Sequence, residues 1–219
     1  MTPIAFLDIE TTGLDPERHE IIEIAVQRVD PVTLHPLRTL NMKVHPEHLE
    51  TADPVALRVA GFEPAAWRLS RPLDHALREA APLLAGALVA GHNVGFDWRF
   101  LERNYRRRGL PLPMVDYHRL DTASLAWPLL SSGELRSLSL DSLCTYFGIP
   151  RPSPHRALAD VKATILVARR LRERVLGGTP TAPASRPPEP IPYGGPSRDL
   201  EAVAAPAPPD SGRRPRRKA

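Results

Sequence analysis

The sequence predicts an α/β domain in which helices cover a sheet, and three observations carry that prediction. Apolar runs of strand length dominate the first 45 residues. Helix-length amphipathic stretches dominate from there to residue 176. Among those helices lies one more short apolar run, "ALVAGHN" at 87–93, which ends in turn residues and supplies a later strand.

The elements follow in order. Strands are expected over Pro3–Ile9, Ile21–Val29 and Thr39–Val44, close enough in sequence to form a meander. "DPVALRVAGF" (53–62) and "PLDHALREAAPLLAGA" (72–87) read as helices, and "FDWRFLERNYRRRG" (96–109) as a third, stopped by Gly109. "SLSLDSLCTYFGI" (137–149) is a fourth, ended by Gly148 and Pro150. In "HRALADVKATILVARRLRERVL" (155–176), Ala157, Val161, Ile165, Ala168, Leu171 and Val175 recur at helical spacing, and Gly177-Gly178 stops the run. The domain therefore spans residues 1–176. Residues 177–219 hold 11 of the 26 prolines and few bulky apolar side chains, so they are expected to form a disordered tail with polyproline II character and a basic end, "RRPRRKA".

Composition narrows the function classes. Hydrophobic residues make up 42% and charged residues 25%, as in soluble globular proteins. No stretch has the apolar length that spans a membrane, and the start, "MTPIAFLDIE", reads as a core strand and not a signal peptide, so a cytoplasmic location is expected. The single cysteine, Cys144, excludes an internal disulfide and a cysteine metal cluster, and is expected to be a buried apolar residue on a helix. The net charge of +4 is uneven: seven basic and four acidic residues lie from Gly177 on, leaving 22 and 21 before it. The domain itself is thus nearly neutral. His-Glu-x-x-His and Gly-x-Ser-x-Gly are both missing, which argues against a zinc or serine hydrolase.

"FLDIETTGLD" (6–15) places Asp8 and Glu10 at alternate positions of a strand, on one face. Two carboxylates on a largely buried strand repel each other and lose hydration. Further acids stand at other element ends: Asp97 at the start of a helix in "GHNVGFDWRFL", and Asp160 on the last long helix, five residues after His155. Each has a bland reading, as a helix-cap acid or a surface pair. Gathered together, four acids need a cation, and oxygen-only ligands suit Mg²⁺ or Mn²⁺. Two such ions ~4 Å apart suit phosphodiester cleavage, activating water and steadying the leaving oxygen, with a histidine to take the proton.

With these residues in view, the chain resembles the DnaQ-like 3′→5′ exonucleases of the ribonuclease H-like fold, in the branch named for four acids and a histidine. "FLDIETTGL", "GHNVGFD" and "HRALADV" are similar to its three motifs, in order and spacing, over about residues 3–175. The resemblance implies a five-stranded mixed sheet with helices on both faces and Asp8 and Glu10 on its central strand. It implies that Asp8, Glu10 and Asp160 ligate a first Mg²⁺ or Mn²⁺. Asp8 would bridge to a second ion assisted by Asp97, and His155 would be the general base. Thr11, Thr12 and Leu14 would line the slot for the terminal nucleotide, Phe62 is a candidate to stack on a base, and Asn93 to fix a turn or touch the substrate backbone. Phe62 reads equally as a core residue, His92 as a structural histidine, Trp98 as core or rim, and Asp121 as structural.

Single-stranded nucleic acid is the implied partner. DNA is favoured over RNA because "DIETTGLDP" followed by "ADPVALRVAGF" is more similar to DNA-trimming and proofreading relatives. An RNA exonuclease of the same fold is the nearest alternative. A tethering subunit that reaches a polymerase or repair partner through its tail is another. The tail contains no glutamine, the only one being Gln27, so it lacks a glutamine-led sliding-clamp peptide. Loss of Asp160 is expected to abolish turnover and to leave the fold intact, because it removes one repelling charge.

Overall fold

The structure, a computed structural model, describes residues 1–177. The expected tail therefore lies outside the described residues, Gly177 excepted. Strand β1 (Ile4–Thr11) is followed by β2 (Ile21–Val29) and β3 (Pro36–Lys43), which form the expected antiparallel meander. After a single 3₁₀ turn at Leu49–Thr51 come three helices, α1 (Pro54–Val59), α2 (Pro64–Trp67) and α3 (Leu73–Leu84). Strand β4 (Leu88–Gly91) then leads into α4 (Val94–Arg107), and β5 (Arg119–Asp121) into α5 (Thr122–Leu125) and α6 (Trp127–Ser131). The described chain closes with α7 (Leu140–Phe147) and α8 (Ala157–Val175).

The five strands form one mixed sheet in the order β3-β2-β1-β4-β5, with β1 at the centre, antiparallel to β2 and parallel to β4. Alternation along β1 decides what each face meets. Ala5, Leu7 and Ile9 point into a core built with α3 and α4, through Ala76, Leu77, Ala80, Phe100 and Leu101. Phe6 points the other way, to Val161, Ile165 and Ala168 of α8. Asp8 and Glu10 share the parity of Phe6, so the apolar face that α8 covers becomes acidic toward the end of β1. A third cluster joins α7 and α8 through Leu143, Cys144, Ala163 and Val167, and burial there pushes the Cys144 thiol up to about 11, as suits a small core residue.

Two differences from the expected elements have local causes. The helix expected over 53–62 ends at Val59, because Gly61 takes a left-handed φ of 55° and the chain restarts as α2 at Pro64. α5 and α6 fill a region with no clear periodicity, where Asp121 caps α5 by accepting from Ala123 N–H at 2.9 Å. Among the described residues, no helix is long and apolar enough to cross a membrane.

Candidate active site

The end of β1 is where three elements deliver carboxylates. The ladder between β1 and β4 pairs only Ile4–Phe6 with Leu88–Ala90, so β1 runs on past its parallel neighbour. That frees the Ile9 N–H, and Asp97, in the first turn of α4, accepts it through Oδ1 at 3.0 Å. The turn between β4 and α4 is tight: a Cβ on Gly91 would lie 2.9 Å from the Leu7 carbonyl oxygen and 2.8 Å from Val94 Cβ. Glycine there lets α4 start close enough for Asp97 to reach β1.

From the opposite side, α8 brings in Asp160, which is 5% exposed. The carboxylate oxygens of Asp8, Glu10 and Asp160 come within 4.8 Å of one another. Asp97 is outside that tight trio but close enough that its charge raises the pKa of Asp8. Lost hydration is the larger cause, and Glu10 and Asp160 add to it. Burial, then Asp160 and Glu23, lift the Glu10 carboxyl to about 8. Asp97 is also raised, by burial first, against the opposing pull of the Ile9 N–H.

Two contributors were not expected from sequence. Glu23 stands opposite Glu10 in the β1–β2 register and is buried, with Oε2 lacking a hydrogen-bond partner among the described residues. Burial raises its pKa, while Arg156 and Lys43 offset part of the rise. The one available signal was an acid inside the apolar run "IIEIAV". The second is Arg151, which donates to both oxygens of Asp160, Nε to Oδ1 at 2.9 Å and Nη2 to Oδ2 at 2.6 Å. Asp160 is therefore ion-paired as well as crowded, and its removal would leave a guanidinium whose side chain is only 9% exposed with Asp141 as its remaining acidic partner. The structure thus adds to the relieved repulsion an opposing cost, the loss of this ion pair.

His155 lies in the segment between α7 and α8 with its side chain exposed, and its backbone N–H donates to Asp160 Oδ2 at 3.1 Å. Its φ of 58° lies in the left-handed region that non-glycine residues seldom enter. The bond to Asp160 holds that conformation beside the acids. The neighbouring Arg156 donates to the carbonyls of Ala60 and Gly61 at 3.3 and 3.4 Å, tying this segment to the turn that carries Phe62.

The remaining expected contacts divide by exposure. Leu14 is 78% exposed on the turn after β1. Thr11 Oγ1 donates to the Gly13 carbonyl at 2.7 Å, and the fully buried Thr12 accepts the Glu20 N–H at 2.8 Å, so both hydroxyls lock the turn. Phe62 is half-buried, its ring 4.9 Å from Trp67, whose Nε1 donates to the Ile22 carbonyl at 2.8 Å. Asn93 is exposed at φ 60°, and its N–H donates to Asp121 at 3.0 Å. His92 bonds Thr122 at 2.9 Å, and Trp98 is buried beneath the Arg119 guanidinium. A second acidic group, Glu20, Glu47 and His48, is different in kind, because the Glu20 carboxylate is spent on the N–H groups of Glu47 and His48.

The five-stranded mixed sheet, with carboxylates converging on its central strand, has the ribonuclease H-like fold. The particular family follows from comparison. A family model described as exonuclease, of the RNase T type, matches residues 5–168, and the chain belongs to that family of DnaQ-like exonucleases. It is 32% identical over 177 residues to the PolC-type DNA polymerase III of Thermotoga maritima, and 34% identical over 170 residues to that of Thermotoga petrophila. These matches take in 76% of this chain but 12% of each polymerase. The fold is similar to that of E. coli exonuclease I in complex with a dT13 oligonucleotide, with a TM-score of 0.69 and 22% identity over 80% of this chain and 42% of that one.

Proposed function

We propose that this chain is a divalent-metal-dependent 3′→5′ exonuclease that removes nucleotides from single-stranded DNA ends. The observation that carries the reading is the trio of carboxylates, Asp8, Glu10 and Asp160, within 4.8 Å of one another, with Asp97 beside them. Carboxyls raised this far repel one another unless protonated or bound to a cation. The donors are all oxygen, and the buried Glu23 Oε2 nearby lacks a hydrogen-bond partner among the described residues, so the set fits Mg²⁺ or Mn²⁺. Asp8, Glu10 and Asp160 would hold one ion, and Asp8 with Asp97 a second. Bound there, the ions would supply charge stabilisation and an acidified water to hydrolysis of the terminal phosphodiester.

The protein's own groups would do the rest. His155, exposed on its strap, would take the proton of the attacking water. Leu14 would pack on the terminal nucleotide at the turn that Thr11 and Thr12 hold, Phe62 would face a base from its Trp67 support, and Asn93 would meet the substrate backbone. DNA is favoured because the PolC-type relatives are DNA polymerases and the exonuclease I neighbour binds a dT13 oligonucleotide. A role beside a polymerase or repair partner fits a domain that those polymerases carry as a small part of their length.

The test incubates 5′-labelled single-stranded DNA and RNA of one sequence with wild type and Asp8→Asn, in Mg²⁺, Mn²⁺ or EDTA. A ladder shortening from the 3′ end, dependent on metal and missing in the variant, is expected, faster on DNA. Faster trimming of RNA would transfer the assignment to an RNA exonuclease. A ladder that persists in EDTA would overturn the metal-dependent reading.

A further inference from the structure

Arg151 holds the carboxylate that a metal would need. It follows Pro150, just past the end of α7, and both oxygens of Asp160 accept from its guanidinium, at 2.9 and 2.6 Å. Oδ2 also accepts the His155 N–H. Paired charge-assisted bonds of this kind are among the stronger polar contacts in proteins. The third arm, Nη1, reaches Asp141 on α7, whose side chain is 69% exposed. Arginine does not lose its proton in proteins, so the guanidinium keeps its charge and competes with any cation for this carboxylate.

We propose that Arg151 is a tethered counter-cation that occupies Asp160 until a divalent ion displaces it toward Asp141, and so sets the metal concentration at which the site fills. The inference rests on the metal-site reading above. In the metal-free protein Arg151 stands in for the ion: it neutralises Asp160 and keeps the His155 segment anchored. When the ion arrives, the guanidinium keeps one partner, Asp141, and that partner is solvated enough to accept it alone. Arg151 is thus a positioning residue with opposite effects on the two states. It stabilises the empty site and opposes its filling.

The experiment measures Mn²⁺ binding to the full chain by calorimetry, and melting in EDTA, for wild type, Arg151→Gln, Asp141→Asn and the double variant. Arg151→Gln is expected to bind Mn²⁺ about tenfold more tightly or better, in line with loss of a charged hydrogen-bonded competitor, and to melt lower in EDTA. Asp141→Asn is expected to bind more weakly, and to lose most of that effect when Arg151 is already Gln. If Arg151→Gln does not fold without metal, Arg151→Lys keeps the charge and loses the fork, and should bind more tightly than wild type. Wild type that binds Mn²⁺, with either Arg151 variant equal or weaker, overturns the competition. An equal effect of Asp141→Asn in both backgrounds overturns the transfer to Asp141. No Mn²⁺ binding by any form would instead overturn the metal site itself.

Discussion

Raising the pH of the metal-free protein should destabilise it, and Glu10 gives the size of the effect. Its carboxyl has an ordinary value of 4.5 and stands at about 8 in the fold, lifted by burial and then by Asp160 and Glu23. The folded state thus keeps a proton that the unfolded chain releases. The associated stability is fully present below about pH 4.5, is lost as pH rises, and is gone above about pH 8. If Glu10 titrated alone the loss would be ~5 kcal/mol, at ~1.4 kcal/mol per pH unit. Asp8 and Asp97 are raised in the same field and exchange protons with it, so a net loss of ~2–4 kcal/mol is expected. For a domain of this size that is a fall in Tm of roughly 5–15 °C. The assay is melting by circular dichroism from about pH 5 to pH 9 in EDTA, for wild type and Glu10→Gln, repeated with excess Mn²⁺. Wild type should lose stability relative to Glu10→Gln in EDTA, and excess Mn²⁺ should restore wild type more than the variant, which lacks one ligand. A difference between the two that stays flat across the series in EDTA would refute the electrostatic account.

Asp8→Asn should abolish nuclease activity and raise stability in EDTA near pH 8 by ~1–3 kcal/mol, since it removes a poorly hydrated charge facing three others. Asp160→Ala should also abolish activity but lower stability by ~1–3 kcal/mol, because Arg151 loses both bonds to Asp160 and keeps only Asp141; denaturant melts of the two variants should therefore move in opposite directions. His155→Ala should lower kcat by ~10²–10⁴ and leave Mn²⁺ affinity nearly unchanged, and an equal loss of affinity would make it a ligand. Gly91→Ala should lower stability by ~1–3 kcal/mol, and the lost activity should exceed the unfolded fraction, because the added methyl pushes α4 and Asp97 away from β1.

The sequence by itself determined strands β1 to β4, the long helices and the candidate acids Asp8, Glu10, Asp97 and Asp160. Their signals are local: alternation in "FLDIE", helical spacing in "ADVKATILVARRL", and Gly-Gly at the stop. It determined membership of the exonuclease family for a related reason, since three short motifs in order survive compression into a string. The acid of β2 and the arginine after α7 were different. Glu23 matters only because the β1–β2 register sets it opposite Glu10, and register belongs to two strands at once. Arg151 was one of 26 arginines, and only the packing of α7 against α8 brings it onto Asp160. Asp97 was visible as a helix-start acid, yet its bond to Ile9 exists because β4 ends early and leaves that N–H free. Tertiary structure therefore decided how the acids are neutralised, because charge compensation depends on distance in space, whereas the acids themselves were written in the spacing along the chain.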